Sequence, residues 1–229
     1  MAERFDLLLW DVDGTLLDFL AAERAAVRSL FAEFGLGECS GAMIERYSAI
    51  NRLYWERLER GELPKGEILV RRFKDFFEEY GLDASLAGAF NEAYQLRLGD
   101  TIVYLDGSLE LVSSLRGRVR QFAVSNGTVA AQTRKLCASG FDRLLDGVFL
   151  SEDIGFEKPD PRFFAPVLAA APDVPPERIL IVGDSLTSDM AGGINAGIKT
   201  CWYNPSGAPA PTAPIDYTIR RLGEIEAII

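Results

Sequence analysis

The chain of 229 residues contains no histidine. That absence removes Ser–His–Asp triads, histidine-ligated zinc and phosphohistidine chemistry together. Cysteine is scarce: Cys39, Cys137 and Cys201 are odd in number, far apart and form no CxxC pair. Such a set argues against a disulfide framework and makes a reducing cytoplasm the expected setting. Long apolar runs are missing too. The opening MAERFDLLLW stops well short of the roughly 18 residues a membrane span needs, and it lacks a signal-peptide pattern. Positive charge is outweighed, 24 Lys and Arg against 34 Asp and Glu, for a formal charge of −10. Nucleic-acid polymers and anionic membranes require a positive surface field, so neither is an expected partner. A small anionic substrate stays open, because a local cation can reverse the sign inside one cleft.

What is present is an ordinary globular composition, 48% apolar and 25% charged. It suits one large domain or a core domain with an insertion. Residues 5–10, FDLLLW, form a short apolar run that ends at Asp11. Runs of this kind read as strands buried on both faces of a parallel sheet. Similar runs occur at 119–124 and 178–183, with 199–203 a further candidate. Helical stretches between them predict an α/β doubly wound fold with right-handed crossovers. From about Asp18 to Leu98 the apolar residues recur at helical spacing instead. Gly35, Gly61 and Gly81 fall where helices should stop, and Pro64 opens another. The expected organisation is an α/β core of residues 1–17 and 100–229 with a helical insertion at 18–99. Residues 16–19 and 99–106 would be the linkers and hinges. PSGAPAPTAP at 205–214 reads as an exposed, stiff loop.

Four segments carry chemistry. Asp11-Val12-Asp13-Gly14-Thr15 follows the first apolar run, where ligands bind in open α/β sheets. Alternate residues of an extended chain project the same way, so two carboxylates would share one site and repel unless a cation or proton intervenes. Ser125-Asn126-Gly127-Thr128 closes the second run with a hydroxyl and an amide where a helix begins, a place for an anion. Lys158 is the one cation of SEDIGFEKPDP, presented between residues stiffened by Pro159 and Pro161, with a helix expected near Arg162. Asp184 and Asp189 lie in GDSLTSD after the third run, Asp189 in a first helical turn where a carboxylate also suits the helix dipole. Each segment alone also reads as a turn or cap. Together they bring hard oxygen ligands from distant parts of the chain to one sheet edge, a set that suits Mg²⁺. In the helical insertion, Asn51 and Trp55 lie one turn apart and could contact a ring, although Trp55 and Leu58 also fit a packed helix face.

The order DxDGT, S-N-G, Lys-Pro, GDSxxxD resembles that of the haloacid dehalogenase superfamily of phosphatases. The resemblance implies a HAD-like, Rossmannoid core with an inserted α-helical cap. It implies Asp11 as the nucleophile forming an aspartyl-phosphate, and Asp13 as the acid and base whose main-chain carbonyl joins the metal shell. It further implies Ser125, the Asn126 amide and Lys158 on the phosphoryl oxygens, Asp184 on Mg²⁺, and Asp189 supporting the ion through water or hydrogen bonds. Because dehalogenases of the superfamily lack an equivalent of Asp13, the likeness favours phosphate esters. AINRLYWERLERGEL, SEDIGFEKPDPRFF, SDMAGGINAGIKTCWYN and DYTIRRLGEIEAII are similar to segments of bacterial noncanonical pyrimidine 5′-nucleotidases. That narrower likeness implies pyrimidine nucleoside 5′-monophosphates as the small phosphorylated substrates. Sugar phosphates, phosphoglycolate, a phosphomutase reaction and a non-catalytic binding relative are the alternatives.

Overall fold

The computed structural model describes residues 5–209 and 211–229. The first four residues of the opening stretch, and Ala210 of the 205–214 loop, lie outside the described residues. The chain divides into two compact units, Met1–Asp18 with Val103–Ile229, and Phe19–Ile102.

In chain order the first element is strand β1 (Leu7–Trp10), every residue of which is buried. Helices α1 (Phe19–Glu33), α2 (Gly41–Glu59), α3 (Lys65–Glu79) and α4 (Ala87–Arg97) follow. Then come α5 (Ser108–Leu115), β2 (Arg120–Ser125), α6 (Val129–Ser139), β3 (Gly147–Leu150), α7 (Ser151–Ile154) and α8 (Pro161–Ala169). The chain continues through β4 (Ile179–Gly183), a π-helical turn at Leu186–Met190, α9 (Ala191–Ala196), β5 (Lys199–Tyr203) and β6 (Tyr217–Ile219).

The strands form one six-stranded sheet in the order β3-β2-β1-β4-β5-β6, with every neighbouring pair parallel. This is the doubly wound arrangement, in which the chain reverses its direction of travel across the sheet between β1 and β4. The expected apolar runs at 5–10, 119–124, 178–183 and 199–203 correspond to β1, β2, β4 and β5. Leu7, Leu9, Phe122, Val124, Ile179 and Ile181 join Phe163, Phe164 and Val167 of α8 in one apolar layer. Full burial of each such side chain contributes about 1.5–3 kcal/mol. Register is what matters for the site. Trp10 pairs with Ala123 on one side and Val182 on the other, so the chain leaves all three strands at nearly the same level.

The second unit is helical throughout, apart from its loops. Phe31, Phe73, Phe76, Phe77 and Phe90 are buried together with Tyr47 and Tyr94, and Tyr47 stacks on Phe73 with ring centroids 4.7 Å apart. Gly35, Gly61 and Gly81 take left-handed φ angles of 64°, 71° and 65° just past helix ends, as their positions predict. Among the described residues no helix is long and apolar enough to cross a membrane.

Candidate active site

The carboxyl ends of β1, β2 and β4 deliver three of the four motifs to one edge of the sheet, and the loop between α7 and α8 brings Lys158 to them. Asp11 is the first residue beyond β1, and its N–H still donates to Val182 O of β4 at 2.9 Å, which extends the ladder by one residue. The backbone then turns sharply. Leu16 N–H and Leu17 N–H both donate to Val12 O, at 3.0 and 2.9 Å. Gly14 sits in that turn with φ 94°, and a Cβ there would lie 2.6 Å from Asp184 Oδ2.

Beyond β4 the π-helical turn wraps Asp189 back toward the strand. Ser185 O accepts from both Asp189 N–H, at 3.1 Å, and Met190 N–H, at 3.0 Å. Asp189 Oδ2 in turn accepts from Ser185 N–H at 3.1 Å. Its carboxylate occupies the space a side chain at Gly183 would need. A π-type turn in such a place is a recurrent feature of functional sites. Trp202 of β5 fixes the neighbouring backbone by donating Nε1–H to Asp184 O at 2.9 Å.

Lys158 is the hub. Its ammonium, 1% exposed, donates to Asp11 Oδ1 at 2.8 Å, Asp189 Oδ1 at 2.6 Å and Val124 O at 2.8 Å. Three donors meet three acceptors, the condition under which a buried cation is tolerated. Burial works against its charge, but the carboxylates of Asp11 and Asp189 outweigh burial and raise its pKa. The Lys158–Pro159 peptide is cis. Asn126 holds this segment through a reciprocal pair: Nδ2–H donates to Lys158 O and Oδ1 accepts from Lys158 N–H, both at 2.8 Å. The Asn126 side chain thus fixes Lys158, with a longer contact to Ser188 Oγ. Ser125 is buried at the end of β2, and its Oγ accepts from Gly127 N–H at 3.0 Å, which leaves its own proton to donate.

One carboxylate oxygen each from Asp11, Asp184 and Asp189 can be chosen so that all lie within 4.8 Å of one another. Burial first, and then the Asp189 charge, push Asp11 well above the ordinary carboxylate range despite Lys158. The same two causes push Asp184 up to about 7. Asp184 keeps an exposed edge, yet its carboxyl lies deep among protein atoms. Three acids and one ammonium leave excess negative charge, and hard oxygen donors crowded in this way fit a divalent cation. Asp189, expected only to support the metal site from behind, has its carboxylate inside the cluster.

Asp13 is placed differently. Its carboxylate is not among these three; Oδ2 accepts from Gln132 Nε2–H at 2.6 Å and Oδ1 from Lys135 Nζ–H at 2.5 Å. Neither α6 residue was expected at the site. The available signal was their i, i+3 spacing in the helix that follows the S-N-G segment.

Asn51 belongs to another arrangement altogether. Inside the helical unit its Nδ2–H donates to Glu23 Oε2 at 2.6 Å and its Oδ1 accepts from Arg72 Nη1–H at 2.6 Å. Ser48 Oγ–H and Tyr94 O–H also donate to Glu23, and Arg72 reaches Asn91. Asn51 is 2% exposed, so its amide is used within the fold rather than offered to a ligand. Trp55 is half-buried on the same helix.

Residues 5–197 match the haloacid dehalogenase-like hydrolase family. The chain belongs to that family. It is 36% identical over 228 residues to the HAD-hydrolase YfnB of Bacillus subtilis, covering 99% of this chain and 96% of YfnB. The magnesium-bound crystal structure of YfnB, described as revealing interdomain movement, superposes with a TM-score of 0.92 at 37% identity, covering 98% of each chain. Pyrimidine 5′-nucleotidase PynA of Streptococcus pneumoniae is 37% identical over 203 residues, 88% of this chain and 84% of PynA. Pyrimidine 5′-nucleotidase YjjG of Escherichia coli is 28% identical over 228 residues, 99% of this chain and 98% of YjjG. The chain is therefore a hydrolase with the HAD-like fold.

Proposed function

We propose that this hydrolase is a magnesium-dependent phosphatase that cleaves phosphate monoesters through a phosphoryl group carried on Asp11, with pyrimidine nucleoside 5′-monophosphates as substrates. The observation that carries the reading is Lys158, whose ammonium bonds Asp11 and Asp189 within a cluster completed by Asp184. A buried ammonium bonded to a carboxylate at the edge of the sheet suits a reaction that passes a negatively charged group onto that carboxylate.

In this reading an Asp11 oxygen attacks phosphorus while the bond to the leaving oxygen breaks. Asp13 gives that oxygen a proton, then takes one from the water that attacks the phosphoryl-aspartate and restores Asp11. The Ser125 hydroxyl, the Asn126 amide and the Lys158 ammonium hold phosphoryl oxygens, and the Asn126 side chain keeps Lys158 in place. The carboxylates of Asp11 and Asp184 and the main-chain carbonyl of Asp13 would hold Mg²⁺, supported by Asp189. When bound, Mg²⁺ supplies the positive charge that draws the phosphoryl oxygens into the cluster. Phe19–Ile102 is read as the cap domain of such an enzyme.

The substrate class is supported by PynA and YjjG, both named as pyrimidine 5′-nucleotidases. A panel of nucleoside 5′-monophosphates, sugar phosphates and phosphoglycolate, compared by kcat/KM with Mg²⁺ present, tests it. Pyrimidine nucleotides should rank first. Preference for a sugar phosphate would replace the substrate and keep the chemistry; failure to hydrolyse any ester would remove both.

A further inference from the structure

Gln132 and Lys135 grip Asp13 from one side. Their arms leave the buried face of α6 three residues apart, and each takes one of the two carboxylate oxygens. Lys135 is 1% exposed and Gln132 fully buried. Burying two such side chains costs stability unless hydrogen bonds offset it. For Gln132 the offset is incomplete, because its Oε1 is buried and has no hydrogen-bond partner among the described residues. An apolar side chain of similar shape would fill the same space without an orphaned acceptor. What glutamine alone provides is the N–H on Asp13. Room for that arm comes from Gly127, where a Cβ would collide with the Gln132 carboxamide. The glycine of the S-N-G segment therefore admits the clamp.

We propose that Gln132 and Lys135 are positioning residues that hold Asp13 at the angle from which it protonates the leaving oxygen. The inference rests on Asp13 as the acid of the proposed reaction. A carboxylate turning about two side-chain bonds populates several rotamers, and a donor on each oxygen selects one. Each oxygen keeps a second lone pair, so the proton sits on the outer side of the clamped group. It passes to the leaving oxygen as the P–O bond breaks and the bond from Asp11 to phosphorus forms. The attacking water later returns a proton to Asp13.

The test is a leaving-group comparison in the full chain. An alkoxide needs a proton to depart, whereas nitrophenolate does not, and kcat/KM covers the steps up to that departure. Gln132→Met, Lys135→Met and the control Asp13→Asn are assayed with uridine 5′-monophosphate and p-nitrophenyl phosphate, with folding checked by circular dichroism. Both clamp variants should lose about 100-fold with the nucleotide, the scale on which misplacement of a reacting group acts. With p-nitrophenyl phosphate they should lose less than about tenfold, since proton donation then contributes little. Gly127→Ala, which changes neither clamp residue, should reproduce the Gln132→Met pattern and decides the matter if Lys135→Met does not fold. Equal losses on both esters in folded clamp variants, while Asp13→Asn keeps the split, would overturn the clamp alone. Equal losses in Asp13→Asn would instead remove the acid role beneath it.

Discussion

Gly14 lies beneath the carboxylate of Asp184, so close that a Cβ at position 14 would meet Oδ2 at 2.6 Å and Oδ1 at 2.9 Å. The glycine also holds φ 94°, which costs an L-residue about 1–2 kcal/mol. Two constraints coincide there: the chain must turn after Asp13, and Asp184 must come down onto the turn. Thr15 adds a long contact, its Oγ1 lying 3.4 Å from Asp184 Oδ1.

Gly14→Ala should therefore act on the metal. Displacing Asp184 should raise the Mg²⁺ concentration for half-maximal activity about tenfold or more, as loss of ligand placement does in other metal sites. Titration of activity against Mg²⁺ checks this. An unchanged requirement would mean that Asp184 does not contribute to holding the ion.

A pH dependence follows from the acidic cluster. Burial and the Asp189 charge raise Asp184 to about 7 and Asp11 well above its ordinary range, whereas an unfolded carboxyl titrates near about 3.9. The metal-free folded state thus holds these protons more tightly than the unfolded chain does. Stability from this source is full below about pH 4 and is lost as the pH rises through about 7. Mg²⁺ displaces the protons, so it should raise the Tm more at pH 8 than at pH 5. Melting curves in EDTA and in excess Mg²⁺ at the two pH values test the sign. Equal stabilisation at both would contradict it.

Asn51→Ala separates a folding role from a binding role. It leaves Glu23 and Arg72 each short of one buried partner, a cost of about 1–3 kcal/mol. The Tm should drop by several degrees while KM for the preferred nucleotide stays within about twofold, since lost ground-state contacts are what raise KM. A raised KM with an unchanged Tm would return Asn51 to substrate binding.

The parts of this molecule that can be read from sequence are those where one segment suffices. β1, β2 and β4 are buried on both faces, so each shows as a short apolar run, and Asp11, Ser125 and Asp184 stand at or just beyond their ends. β3 and β6 escape notice because they are edge strands, one partly exposed and the other three residues long. Gln132 and Lys135 look like the solvated face of any helix, yet they lie on the buried side of α6. Their purpose becomes visible only with Asp13, more than a hundred positions earlier in the chain. Asn51 misleads for the matching reason. Beside Trp55 it resembles a binding pair, but its partners Glu23 and Arg72 come from α1 and α3.

The central claim is that Asp11 carries the phosphoryl group. Mixing the enzyme with Mg²⁺ and a pyrimidine nucleoside 5′-monophosphate, quenching in acid within one turnover and mapping peptides by mass spectrometry addresses it most directly. The peptide containing Asp11 should gain one phosphoryl group, and the Asp11→Asn protein should gain none and turn over no substrate. Steady hydrolysis with that peptide unlabelled, or turnover retained by Asp11→Asn, would contradict the account.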